Sequence, residues 1–219
     1  VIGTGATAIQ AIPEIAKQAK QLTVFQRRPN WAAPLHNSKI SKAEMEEIKT
    51  RYDEIYARCR QTPSWFIHKA DPRKALDVSP SEREAFWEKL YAEPGFGIWM
   101  GNFSDILRDE KANAVISEFI AKKIRQRVND PKIADKLIPK DHGFGTRRVP
   151  LESGYFEAYN RDNVHLVDIV NDEPIQSITP NGVKTGQREH EFDILICATG
   201  YDGITGAFDQ IDFRGPNGV

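Results

Sequence analysis

A glycine turn near residue 1 limits this chain more than any other feature. Gly3-Thr4-Gly5-Ala6-Thr7-Ala8 has the GxGxxG/A spacing and directly follows the apolar pair Val1-Ile2. After it, Ile9, Ile12, Ile15, Ala16 and Ala19 recur at helical intervals, and a second apolar run, Leu22-Thr23-Val24-Phe25, comes next. Strand, turn, helix and strand in that order predict one βαβ unit. The first glycine permits the tight turn, and the second lets a pyrophosphate approach the backbone. The helix N-terminus offers N–H groups and a partial positive charge. Many glycine-rich turns bind nothing, so it is the position between strand and helix that points to a dinucleotide. Pro13 falls inside the helix, where its missing N–H and its bulk against the preceding carbonyl predict a bend or one loosened turn.

The second strand runs into Arg27-Arg28, about 20 residues beyond the glycines, where a dinucleotide fold meets the adenosine ribose. An acidic residue there would accept from the 2′-OH of NAD, whereas a guanidinium pairs with the additional 2′-phosphate of NADP. NADP is therefore the expected coenzyme. The alternative is that two arginines at a strand end form a solvated loop.

From residue 36 to about 144 the pattern changes to charged, amphipathic helix. Ser41-x-x-Glu44 and Ser79-Pro80-Ser81-Glu82 have the spacing of capping boxes, the second with proline at the first helical position. Ile48, Tyr52, Ile55, Tyr56 and Cys59 make one apolar stripe, and Val115, Ile116, Phe119, Ile120 and Ile124 make another. Strand-like sequence resumes after Pro150, with Val164–Val167, then Ile175–Thr179, an Asn181-Gly182 hairpin turn and Val183–Thr185. Phe192–Cys197 has the continuous apolar character of a strand covered on both faces. The expected fold is α/β: a Rossmann-like dinucleotide-binding domain over residues 1–35 and 145–219, with a large helical insertion over residues 36–144.

Gly143-Phe144-Gly145-Thr146-Arg147-Arg148 marks the return from the helical stretch. Its arginines could clamp phosphate, face negative charge developing at a reactive centre, or form a basic loop in solvent. His36, His68, His142, His165 and His190 show no metal-ligand spacing, so no metal site is expected, and no GxSxG or Cys–His pairing suggests a nucleophile. Trp65, Trp87 and Trp99 read as core or contact anchors.

The 30 basic and 31 acidic residues nearly cancel, so no global field draws the chain to nucleic acid or to a membrane surface. No apolar run reaches the roughly 20 residues that cross a bilayer. Cys59 and Cys197 stand far apart, and a reducing cytoplasm is the expected compartment. The chain opens inside what reads as a buried strand, so a preceding segment is expected.

Val1 to Gln10, Val24 to Trp31, Gly145 to Arg148, Tyr159 to Val167 and Ala198 to Asp202 together resemble Baeyer–Villiger monooxygenases, the group that includes phenylacetone, cyclohexanone and steroid monooxygenases. The resemblance runs in register along the chain. It implies an NADP domain interrupted by helices and an FAD domain built from segments outside this chain, so that FAD would not bind the chain alone. It also implies the activity of the whole enzyme: NADPH reduces the flavin, O2 is activated, and one oxygen enters beside a ketone carbonyl to give an ester or lactone. The chain alone is expected to be inactive. Carried over by position, Gly3, Thr4, Gly5, Ala6, Thr7, Ala8, Ile9 and Gln10 would hold the pyrophosphate. Arg27 and Arg28 would hold the 2′-phosphate, and Arg147, where relatives commonly carry lysine, would add a cation. Arg148 matches the family's active-site arginine, whose always-charged fork would stabilise developing negative charge.

Two departures qualify the match. Residue 8 is alanine where close relatives usually have glycine, and neither the family's F-x-G-x-x-x-H-x-x-x-W signature nor an FAD-binding GxGxxG is present. These leave open an N-hydroxylating or other class B flavin monooxygenase, and a non-catalytic nucleotide-binding or interaction module.

Overall fold

The glycine turn leads at once into α1 (Ala6–Gln18) and then β1 (Leu22–Gln26), the helix and strand that the spacing predicts. The computed structural model describes residues 1–203, 205–216 and 218. Helix α1 buries Ala8, Ile9, Ile12, Pro13 and Ala16, one face at helical spacing, and continues through Pro13. Val24 and Phe25 are fully buried on β1, and Ile2 bridges in parallel to both Phe25 and Cys197.

A helical stretch follows β2 (Ala33–Pro34): α2 (Lys42–Thr50), α3 (Tyr52–Arg60), α4 (Pro80–Ala92), α5 (Gly97–Met100), α6 (Glu110–Arg127) and α7 (Pro131–Leu137). The chain then returns through β3 (Leu151–Glu152), which pairs in parallel with β2, so entry and exit of this stretch lie side by side. Short helix α8 (Tyr155–Ala158) leads to β4 (Val164–Asp168), which pairs in parallel with β1 from Leu22↔Val164 to Gln26↔Asp168. Two antiparallel pairings join β5 (Ile175–Thr179), β6 (Gly182–Thr185) and β7 (Glu189–Glu191), and α9 spans Thr205–Phe208. The chain is thus mixed helix and strand, with parallel pairing around the glycine turn.

Ser41 and Glu44 form the reciprocal capping box in full, whereas Ser79 accepts from the Glu82 amide without the return bond. The α6 stripe buries Ile116, Phe119, Ile120 and Ile124, with Phe119 against Trp87. The other predicted stripe differs: α2 and α3 bury no residue, and the helix is interrupted at Arg51. Apolar periodicity sets which way a helix would face but does not supply a surface to cover it. One core cluster runs from Ile9, Ile12 and Val24 through Trp31 to Trp87, Ile116 and Phe119, so α1 and the helical stretch share their apolar interior. A second, smaller cluster joins Phe25 and Val167 to Val183.

Two strand readings need correction. In the β5–β6 hairpin Thr179 pairs directly with Gly182, so the turn residues are Pro180 and Asn181 rather than Asn181 and Gly182. Gly182 is required by close packing instead: a Cβ there would stand 1.9 Å from the His190 carbonyl oxygen on β7. Phe192–Cys197 is not a covered strand, since among the described residues it forms a strand bridge only at Cys197, and Ile194 is 76% exposed. The Ile2 N–H donates to the Ile196 carbonyl at 2.9 Å and the Ala198 N–H to the Ile2 carbonyl at 2.8 Å.

Candidate functional site

The glycine turn is tied to the end of β1 through Thr4 and Arg28, and the end of β1 shares a cleft with the loop after α7. Gly3 has φ of +109°, and a Cβ on it would lie 2.3 Å from the Ala198 carbonyl oxygen, so both conformation and contact exclude a side chain. Gly5 meets neither constraint: an added Cβ would touch nothing within 4 Å. It is the N-cap of α1, which has no side-chain cap and no acidic residue in its first turn. The first N–H groups of the helix therefore face an open approach, the arrangement that suits an anion.

The residues assigned to the pyrophosphate are not equivalent. Ala8 and Ile9 are buried, so they contribute packing. Thr4 is also buried, and its hydroxyl donates to the Arg28 carbonyl at 2.8 Å, which fastens the turn to the end of β1. Gln10 is exposed and its amide donates to the Leu151 carbonyl at 3.4 Å. Among the predicted set, Gly5, Ala6 and Thr7 at the helix start remain for direct approach, through backbone rather than side chain.

Arg27, Arg28 and Arg147, which come from either side of the helical stretch, line one cleft of about 1030 Å³ at the end of β1. Arg148 is exposed and does not line it. The cleft also holds Lys136, Lys140 and four aspartates, and the ion pairs decide where its positive charge is concentrated. Lys136 pairs with Asp172, and Lys140 with Asp135 at 2.6 Å. Arg28 and Arg147 share Asp141, at 3.7 and 3.4 Å, and among the described residues Arg27 makes no ion pair. Among the described residues the three arginines thus have one paired carboxylate, Asp141, between them.

Three further residues shape the cleft and were missed from sequence. Gln26, nearly fully buried, donates from its side-chain amide to the Lys136 carbonyl at 2.7 Å and joins β1 to the end of α7, and its Oε1 has no partner among the described residues. Asp141 lies 2.7 Å from Nδ1 of the buried His142 imidazole, and this bond, with the His142 and Arg147 charges beside it, outweighs burial and holds its carboxyl below the usual range. Asp168 closes β4; burial would raise its pKa, but the Asn171 side chain and the Val170 and Asn171 amides outweigh that and lower it. A single aspartate or glutamine in a sequence carries no pattern that announces such roles.

No family model matches the chain. Over all 219 residues it is 53% identical to 2-oxo-Delta(3)-4,5,5-trimethylcyclopentenylacetyl-CoA monooxygenase of Pseudomonas putida, covering 40% of that protein. It is 40% identical to a Baeyer-Villiger monooxygenase of Pseudooceanicola batsensis, again along the whole chain and 40% of the relative. The chain is homologous from end to end with Baeyer–Villiger monooxygenases. A crystal structure of OTEMO in complex with FAD and NADP superposes with a TM-score of 0.96 at 52% identity, covering the whole chain and 41% of that structure. The chain therefore spans about two fifths of the length of these Baeyer–Villiger relatives. Among the described residues, no helix is long and apolar enough to cross a membrane.

Proposed function

We propose that this chain is the NADP(H)-binding region of an FAD-dependent Baeyer–Villiger monooxygenase, which converts ketones to esters or lactones with NADPH and O2. The observation that carries the reading is the convergence of Arg27, Arg28 and Arg147 on one cleft, with the glycine turn before α1 tied to Arg28 by the Thr4 hydroxyl. The residues present fit the coenzyme. The open face of Gly5 and the first N–H groups of α1 suit a pyrophosphate, and the guanidiniums suit a 2′-phosphate. Residues 1–35 and 145–219 form the Rossmann-like domain in this reading, and residues 36–144 are inserted into it. The adjacency of β2 and β3 supports that division.

NADPH supplies a hydride when bound. The chain's own part is to hold and orient it: the α1 start fixes the pyrophosphate, and the arginines fix the adenosine end. Arg148, adjacent to Arg147 yet outside the cleft, is free to face a reacting centre, where a permanently charged donor stabilises developing negative charge. FAD belongs to segments of the whole enzyme outside this chain, and the reducing cytoplasm is its compartment.

Calorimetry with NADP⁺ and NAD⁺ tests the assignment. The expected result is a clear preference for NADP⁺ that Arg27→Ala abolishes, because a lost charge-assisted contact is worth about 1.5–3 kcal/mol, or roughly ten- to hundredfold. Equal affinity of the unmutated protein for both coenzymes would overturn it.

A further inference from the structure

Asp141 is the only carboxylate that either Arg28 or Arg147 reaches among the described residues, and it reaches both with the same atom. Oδ2 stands 3.7 Å from Arg28 Nη1 and 3.4 Å from Arg147 Nη2, while Oδ1 is 2.7 Å from His142 Nδ1. The imidazole is buried and its backbone is fixed, since Trp31 Nε1 donates to the His142 carbonyl at 2.9 Å. One oxygen is therefore anchored on a rigid support, and the other occupies the space between two cations that the chain brings together from distant segments. A carboxylate in that place has the charge and donor requirements of a phosphate oxygen.

We infer that Asp141 is a built-in competitor for the coenzyme's 2′-phosphate: it pairs with the Arg28 and Arg147 guanidiniums until the phosphate displaces it, and so limits how tightly NADP(H) is held. This rests on the NADP reading of the cleft. Two effects of the carboxylate oppose each other. It gathers the guanidiniums, which favours binding, and it repels a phosphate of nearly two negative charges. The guanidiniums are half or more exposed and their contacts to Asp141 are long, so the gathering effect is weak. Repulsion scales with the larger charge of the phosphate and acts at similar distance, so it wins. The consequence is specific to the 2′ position, because a ligand without that phosphate does not contest the site.

The probes are 2′-AMP and 5′-AMP, titrated calorimetrically against the whole protein and its Asp141→Asn variant. Tightening of 2′-AMP by about three- to tenfold is expected, with 5′-AMP unchanged and the gain shrinking at high salt. Unchanged or weaker 2′-AMP binding by a folded variant overturns the proposal. In the unmutated protein, the titration midpoint of the Asp141 carboxyl carbon, followed by NMR, should rise when 2′-AMP saturates the cleft, since two cations leave it and an anion arrives. A midpoint that stays in place overturns the proposal without any variant. A protein that prefers 2′-AMP to 5′-AMP while showing neither effect retains the NADP assignment and loses this one. One that shows no such preference loses the NADP assignment itself.

Discussion

Gly3 and Gly5 stand in the same turn and answer to different constraints. Gly3 is fixed by φ of +109° and by the Ala198 carbonyl oxygen, which a Cβ would approach to 2.3 Å, while Gly5 has ordinary φ and open space beside it. Gly3→Ala should therefore destabilise the fold, by on the order of 2 kcal/mol or more from backbone strain and displacement of a main-chain atom. Gly5→Ala should cost less than about 1 kcal/mol, the difference between glycine and alanine at an N-cap. Urea unfolding separates the two, and calorimetry with NADP⁺ adds the complement: Gly5→Ala loses affinity while remaining folded, because its methyl stands where the pyrophosphate approaches. Equal destabilisation by both substitutions would refute this division. The turn's place ahead of α1 and β1 was legible from its spacing, but the hydroxyl of Thr4 is committed to the Arg28 carbonyl, which no spacing reveals.

At the scale of elements, Arg127 joins the helical stretch to the strands around the glycine turn. From the end of α6 it donates to Glu152 on β3 at 2.7 Å, to both carboxylate oxygens of Glu157 on α8 at 2.6 and 2.8 Å, and to the Tyr91 hydroxyl of α4 at 3.1 Å. Glu152 is fully buried, so Arg127→Ala would strand its charge and should cost about 3–5 kcal/mol, read by urea unfolding. Burial tends to raise the Glu157 carboxyl, but the bonds from Arg127 outweigh it and hold the group below its ordinary value. The folded state thus binds fewer protons than the unfolded chain in acid. This contribution is complete above the ordinary carboxylate range and is lost as pH falls through the lowered folded value. Glu157→Gln should flatten that acid limb of the stability profile; an unaltered limb would show that the pair contributes nothing there. Local signals found the elements themselves: the Ser41 and Glu44 cap, the α6 stripe and the strands at 22–26 and 164–168 all follow from residues near each other in sequence. What they could not supply was the partner surface. The stripe on α2 and α3 finds none, and Gly182 serves contact with β7 rather than a turn.

For the molecule as a whole, the informative event is convergence. Arg27 and Arg28 could be read as a phosphate site because they follow the glycine turn at the right distance, whereas Arg147 alone was indistinguishable from a basic loop until the parallel pairings brought the segments on either side of the helical stretch to one cleft. The same assembly leaves apolar side chains unused. Ile194 is 76% exposed, Tyr201 95% and Phe213 65%, all in the segment after the sheet. Apolar surface of that kind drives association when nothing covers it. The 219-residue chain on its own should therefore self-associate as concentration rises, seen as an increasing weight-average mass in sedimentation equilibrium. Replacing Ile194 and Tyr201 together by lysine should reverse this and leave NADP⁺ affinity unchanged, because neither residue lines the arginine cleft. A chain that stays monomeric across the concentration range, or a double variant that loses the coenzyme along with the association, would show that this segment's apolar face has no adhesive role separate from the site.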